Sequence, residues 1–207
     1  MEAALRLFAQ QGYDETTIDQ IAEAAEISRR TFFSYFPSKE DLLFAGMHRR
    51  AEAILRGIEA RAPHEPMIDV LTLAAEEMAG HPWDGDPDGD LGRIEIRLIH
   101  EVPALQARAL YRLSVVEARI AEALQEAYPE ASDQITVPAL VGAVVRAATV
   151  SAMTAVQQGR TIDEVRDEVC RTVHIVGDGL RFSLSQAERH ASQTDRHGSQ
   201  ELSGSEA

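Results

Sequence analysis

The stretch Ser28-Arg29-Arg30-Thr31-Phe32-Phe33-Ser34-Tyr35-Phe36-Pro37-Ser38-Lys39 decides the fold. Ser28 suits a helix N-cap, because its hydroxyl can accept from the open amides of the following turn. Phe32 and Phe36, four apart, share one face of the short helix and anchor it to a core. Arg29, Arg30, Thr31, Phe33, Ser34 and Tyr35 cover the remaining faces. Pro37 stops the helix, and Ser38 with Asp41 three residues on forms a capping box for the next one. Upstream, Thr17 caps a helix over residues 18–25 whose inner face is Ile18, Ile21 and Ala22. Residues 25–28 then make a connection of the length found in a helix-turn-helix. In that motif the second helix enters the DNA major groove while the first crosses the backbone.

The chain has 207 residues, enough for one medium or two small domains with a real core. Its one cysteine, Cys170, excludes a disulfide framework and points to a reducing compartment. No apolar run approaches the ~20 residues that cross a bilayer, and the start is not signal-like. A cytoplasmic protein without a membrane partner is expected. The net charge of −14 speaks against a nucleic-acid partner at first sight. Even residues 1–45 hold more acid (Glu2, Asp14, Glu15, Asp19, Glu23, Glu26, Glu40, Asp41) than base (Arg6, Arg29, Arg30, Lys39). Three of those bases nevertheless lie in the 28–39 stretch, and phosphate affinity follows local contacts and counterion release rather than whole-chain charge. Lys39 is the only lysine of the chain. In the first turn of its helix it opposes the helix dipole unless it holds a phosphate together with the helix amides. An ordinary solvated lysine is the other reading.

Outward from the decisive stretch, the pattern predicts a first helix over 2–11 with Leu5, Phe8 and Ala9 inward and Gly12 as C-cap. A long helix is predicted over 40–61, ended by Pro63 and Pro66, and another over 67–79 with Ile68, Leu71, Ala75 and Met78 on one stripe. Residues 80–90 read as a loop. There Asp84, Asp86, Asp88, Gly89 and Glu95 satisfy the EF-hand calcium spacing. Gly80, Pro82 and Pro87 break the entering helix that such a loop requires, so an acidic turn is preferred and no metal is assigned. A helix over 91–102 carries Ile94, Leu98 and Ile99 beside Arg93, Arg97 and His100. The helix over 104–128 is apolar on two sides, with Leu110, Leu113, Val116, Ile120 and Leu124 on one and Ala107, Tyr111, Val115 and Ala118 towards another. Burial between two layers is expected for it.

The helix over 139–158 has small residues every fourth position: Ala139, Ala143, Ala147, Ser151 and Ala155. The helix from 162 to about 183 carries Ile162, Val165, Val169, Val173, Val176 and Leu180, close to a coiled-coil seam. Together they read as a four-helix interface between two copies, with burial inside one subunit as the alternative. Residues 185–207 are polar and lack an apolar stripe, so a disordered tail is expected.

Catalysis finds no foothold. The histidines His48, His64, His81, His100, His174, His190 and His197 form no two-His metal spacing, and no G-x-S-x-G, P-loop or G-x-G-x-x-G occurs. Cys170 sits within the predicted interface helix as a packing thiol. His100 and Glu101, adjacent on a helix, point apart. No enzyme and no cofactor is expected.

Residues 3–44, AALRLFAQQGYDETTIDQIAEAAEISRRTFFSYFPSKEDLLF, resemble the DNA-binding domain of the TetR family of transcriptional repressors. The likeness runs almost without gaps: LF and G-Y around the first helix, T-T before the second, I-A then AA, the helix ending Y-F, and S-K-E-D-L-L. It implies an all-α protein of about nine helices. An N-terminal three-helix helix-turn-helix domain would span 1–45 and a helical-bundle ligand-binding and dimerisation domain 46–184, followed by the tail 185–207. The function implied is a ligand-responsive homodimer on a palindromic operator, with a helical carrier or interaction protein whose head binds DNA weakly as the alternative. By resemblance, Arg29, Arg30, Thr31 and Ser34 read bases or lie near them, and Thr17, Phe33, Tyr35 and Lys39 touch the DNA backbone. Arg is the usual guanine reader, which favours Arg29 or Arg30 for specificity. Phe33 departs from the tyrosine common there. Family members also carry a basic arm before the first helix. Its absence leaves open a late start or fewer backbone contacts.

The family's regulatory domains hold a small apolar molecule that moves the connecting helix. Candidate lining is Met67, Leu71, Met78, Trp83, Ile94, Leu98, Tyr111 and Met153, with Arg97, His100, Arg108 and Arg146 as polar anchors. For Arg146, which interrupts an apolar helix, an interhelical salt bridge is the other reading. The segment RLIHEVPALQARALYR is similar, weakly, to domains that respond to acyl-CoA thioesters.

Overall fold

The structure, a computed structural model, describes residues 1–62, 64–80, 90–129 and 134–203, with side chains up to residue 186 except at 77–80. Among the described residues it is wholly helical. In chain order the helices are α1 (Glu2–Gln11), α2 (Ile18–Ala24), α3 (Arg29–Tyr35), α4 (Lys39–Leu43), α5 (Ala45–Ala60), α6 (Met67–Gly80), α7 (Asp90–Glu101), α8 (Pro103–Ala127), α9 (Thr136–Gln157) and α10 (Ile162–Ser203).

The expected helix over 40–61 is two helices. Phe44, fully buried, carries φ −88° and ψ 4°, and its N–H turns back to the carbonyls of Glu40 and Leu42. The regular helix is thus interrupted at this one buried residue, and α5 begins directly after it. At the other end, the backbone of α10 continues to Ser203, beyond the end expected near residue 183. The apolar stripe does stop there. Gln, Ala, Glu and Arg in the added stretch are good helix formers.

Two apolar clusters organise the molecule. The first holds Ala4, Leu5, Phe8, Tyr13, Ile21, Phe32, Leu42, Leu43 and Phe44 from α1–α4, and it is completed by Leu91 and Leu98 of α7 and Leu105 of α8. Ala9, expected inward, is exposed, and Ala4 takes the inner place. The second is built from Ile54 and Ile58 of α5, the stripe Ile68, Leu71 and Ala75 of α6, Leu113, Ile120 and Leu124 of α8, and the valines of α9 and α10. α7 therefore lies between the clusters, with Leu91 and Leu98 on the head and Ile96 on the body.

The most apolar helix, α9, reaches a mean hydropathy of 1.7 over a membrane-length window, contrary to the expectation that no run comes close. Val137, Val141 and Val144 have no exposure at all, so one side of α9 fills the body core. α8 is corrected as well. Only its Leu105–Leu113–Ile120–Leu124 face is buried, while Leu110, Tyr111 and Val115 are exposed. One layer, rather than two, covers it within the chain.

Ion pairs pin these helices at their rims: Arg119 of α8 to Glu52 of α5 at 3.0 Å, and Arg181 of α10 to Asp69 of α6 at 2.7 Å. The end of α5 is tied to the end of α8, where Arg61 donates to the Ala127 carbonyl and its guanidinium lies 4.6 Å over the Tyr128 ring.

Candidate nucleic-acid interface and effector cavity

The head follows local chemistry closely. Thr17 and Gln20 form a reciprocal capping box at α2: the Thr17 hydroxyl accepts from the Gln20 amide, and the Gln20 side-chain oxygen accepts from the Thr17 amide at 2.8 Å. Glu26, in the connection to α3, has φ 54°, the strained left-handed conformation of a tight turn. Ser28 caps α3 through the Thr31 amide at 3.0 Å, and the Ser34 hydroxyl donates to the Thr31 carbonyl. Phe32 is buried and holds α3 to the core, with Phe36 tilted 5.8 Å away. The opposite side of α3 is open: Arg29, Arg30, Phe33, Ser34 and Tyr35 are exposed, Tyr35 at 73%.

Two of the expected contacts are already engaged. Lys39 donates to the carbonyls of Tyr13 at 2.7 Å and Thr16 at 3.2 Å, and it sits 4.2 Å from the Tyr13 ring centre. It braces α4 to the α1–α2 turn, and one of the three ammonium donors remains. Burial, with the Glu40 carboxylate beside it, pushes the Tyr13 phenol above its usual range. Arg29 is paired with Asp19 of α2 through Nη1, 3.0 and 2.9 Å from the two carboxylate oxygens. Arg30 makes no ion pair among the described residues and is the open cation of α3.

Ser38 caps α4 through the Asp41 amide at 3.1 Å, but the expected capping box is altered. Asp41 takes the Ser38 hydroxyl and turns across to α8, where Arg112 and Arg108 donate to it, Arg108 at 3.3 Å. Arg112 also lies 5.1 Å over the Phe44 ring. Burial opposes the Asp41 charge, yet the Ser38 hydroxyl and the two guanidiniums outweigh it and hold the carboxyl below its usual range. Arg108, expected as an effector anchor, is thus a head-to-body tie.

A second buried pair lies between the clusters. Glu95 of α7 is 2% exposed, with Arg50 of α5 at 3.8 Å and its second oxygen without a hydrogen bond. Burial pushes its carboxyl up to about 8 against the pull of Arg50 and Arg49, and it lowers Arg50. This placement removes the bidentate glutamate from the calcium pattern; the aspartates of that pattern, at positions 84, 86 and 88, lie outside the described residues.

In the body, a cavity of about 500 Å³ opens between α7 and α9, lined by Ile96, Arg97, His100, Glu101, Met153, Val156, Gln157 and Gly159. Gln157 contacts His100 Nε2 at 2.6 Å, and His100 Nδ1 is buried without a partner. Of the expected lining, Arg97, His100 and Met153 meet here. Leu71 and Met67 belong to the body core, Leu98 and Ile94 to the head cluster, and Tyr111 stands 70% exposed. Arg146 takes its salt-bridge alternative, 3.3 Å from Glu117 of α8. The Met78 side chain and Trp83 lie outside the described residues. Periodicity marked Leu71, Met78, Ile94, Leu98 and Tyr111 as apolar-face positions but could not tell which of several cores each face meets. Asp19, Arg112 and Gln157 carried no signal in the sequence, because their partners lie on other helices, and Glu95 was marked only by the calcium spacing, not by its pairing with Arg50.

Residues 1–45 match the profile of bacterial regulatory proteins of the tetR family, and residues 65–181 match the MftR C-terminal domain. The transcriptional regulator TcmR of Streptomyces glaucescens is 38% identical over 121 residues, 57% of this chain and 54% of that protein. YuxN of Bacillus subtilis is 51% identical over 45 residues, 22% of this chain and 16% of that one. The chain spans about half the length of TcmR and less of YuxN. A TetR-family structure from Mesorhizobium loti superposes with TM-score 0.53 at 18% identity, covering 84% of this chain and 91% of that one, which speaks to the fold alone. With profiles matched over the head and over more than half its length, the chain belongs to the TetR family of bacterial transcriptional regulators.

Proposed function

We propose that the protein is a homodimeric repressor that leaves a palindromic operator when a small apolar or amphipathic effector binds. The observation that carries this reading is α3 itself, anchored by buried Phe32 and exposing Arg30, Ser34 and Tyr35 on one side. Arg30 is assigned to base reading, and Tyr35, Thr17 and the remaining Lys39 donor to phosphates. The expected seam residues Val165, Val169 and Val173 are buried within the chain itself, so dimerisation through α9 and α10 is supported instead by exposed apolar residues on these helices, Val150, Ile175 at 66% and Phe182 at 64%. Two-fold symmetry then presents two α3 helices to successive major-groove faces.

The α7–α9 cavity falls within the size range of small-molecule sites. It borders the helix that carries Leu91 and Leu98 into the head cluster, so an occupant that shifts α7 moves the seat of the head. Induction requires only that the occupant prefer the shifted state. An acyl-CoA-like molecule would suit the apolar floor and the Arg97–His100 rim. The test is a mobility shift with duplex DNA from upstream of the protein's own coding region, repeated with Arg30→Ala, alongside mass spectrometry of small molecules retained through purification. Sequence-selective binding that Arg30→Ala abolishes supports the reading. Binding to every duplex alike, or to none, refutes it.

A further inference from the structure

We propose that Asp19 is a positioning residue for base recognition, holding Arg29 with one guanidinium edge turned out to read a guanine; the inference rests on the DNA-binding reading above. The pair bridges the two helices of the helix-turn-helix. Both Asp19 oxygens converge on a single nitrogen, Arg29 Nη1, at 3.0 and 2.9 Å. The Nε and Nη2 donors make no hydrogen bond among the described residues. They form the adjacent pair of a fork that matches the two acceptors of guanine in the major groove.

The guanidinium is steadied from below as well. Arg29 Cζ lies 5.6 Å from the Phe33 ring centre, and Phe33 stands edge-on to Phe32 at 5.5 Å. Phe32 is buried in the head core, so a run of ring contacts ties the arginine to the rigid part of the fold. This gives Phe33 a role that needs no phosphate hydroxyl. A long side chain held in one rotamer before binding loses less freedom on meeting its base.

Asp19 has a second effect on the same surface. α2 is the helix that crosses the DNA backbone, and a carboxylate there repels phosphate. Neutralising Arg29 from the side lowers affinity for any duplex, while the open edge keeps affinity for the right base. Asp19 therefore exchanges general attraction for discrimination, in keeping with a head that already carries more acid than base.

The experiment uses the full chain. A preferred duplex is selected by the wild-type protein from a random-sequence pool. Binding is then measured to that duplex, to versions with single G·C pairs replaced by A·T, and to a scrambled duplex across a salt series. In Asp19→Asn, discrimination at one G·C pair per half-site is expected to fall about two- to fivefold, the effect of losing an exposed ion pair. Scrambled-duplex binding should tighten, with the salt slope steeper by about 0.9 per head as Arg29 swings to a phosphate. Asp19→Glu should restore part of the discrimination. In an Arg29→Ala background, Asp19→Asn should change discrimination no further.

A purely structural role for Asp19 would instead weaken all duplexes alike, which overturns the proposal. So would undiminished discrimination in Asp19→Asn, with the DNA-binding reading left standing. If the wild-type protein selects no sequence from the pool, the DNA-binding reading falls and this one with it.

Discussion

Replacing Glu95 by glutamine should flatten the pH dependence of stability. The Glu95 carboxyl is raised from 4.5 to about 8 because burial disfavours its charge. The folded state therefore binds this proton more tightly than the unfolded chain does. The group's contribution is fully present below 4.5 and is lost as pH rises towards the folded value. With a shift of about 3.5 units and ~1.36 kcal/mol per unit, the integrated loss is about 2.5 kcal/mol between pH 5 and 7 and about 3.5 kcal/mol between pH 5 and 8.

Glutamine keeps the shape and cannot ionise. It also removes a partner from Arg50, which costs some stability at every pH but adds no slope. The quantity to compare is thus the difference between wild-type and Glu95→Gln unfolding free energies at each pH. Other titrating groups cancel in it. Urea unfolding followed by circular dichroism, at fixed protein concentration because dimerisation is linked to folding, gives that difference at pH 5, 7 and 8. The variant should gain on the wild type by about 2.5 kcal/mol from pH 5 to 7. Parallel curves would show that Glu95 stays ionised in the fold, compensated by Arg50, and would refute the reasoning.

Three further outcomes can be checked. A Cβ at Gly177 would lie 2.6 Å from the Thr72 hydroxyl oxygen where α10 meets α6. Gly177→Ala should therefore cost about 1–3 kcal/mol in a thermal or urea melt, with relief in a Thr72→Ala background. Asp41→Ala removes the acceptor shared by Ser38, Arg108 and Arg112. It should lower stability by about 1–2 kcal/mol and weaken duplex binding without altering base preference, because the head loses its tie to α8 while α3 is untouched. Ile175→Arg places a charge on the exposed apolar strip of α10. Light scattering after size exclusion should then find monomer where the wild type gives dimer, with the helical circular dichroism of the subunit retained.

The caps and the anchoring aromatics of the head were legible because their determinants are local. Caps lie three residues from their targets, Phe32 and Phe36 lie four apart, and the link between α2 and α3 is four residues long. Hydrogen bonds over such separations form in almost any context, so the residues alone specify them. The same locality predicted α6–α10 as amphipathic helices. It failed at Phe44, a buried residue at which the chain turns between α4 and α5 inside an otherwise helix-compatible run.

Which faces meet was settled only in three dimensions. Arg112 and Asp41 are 71 residues apart, and His100 and Gln157 are 57. Arg108 reads equally well as an effector anchor or as a tie to the head until α8 is laid against α4. Leu71 and Met153 carry the same apolar signal, yet one fills the body core and the other lines the cavity. An apolar side chain records that it must leave water, and burial energy has no direction. The sequence thus fixes the helices and the inward stripe of each; the packing of one helix on another selects which polar groups become partners and where space is left open.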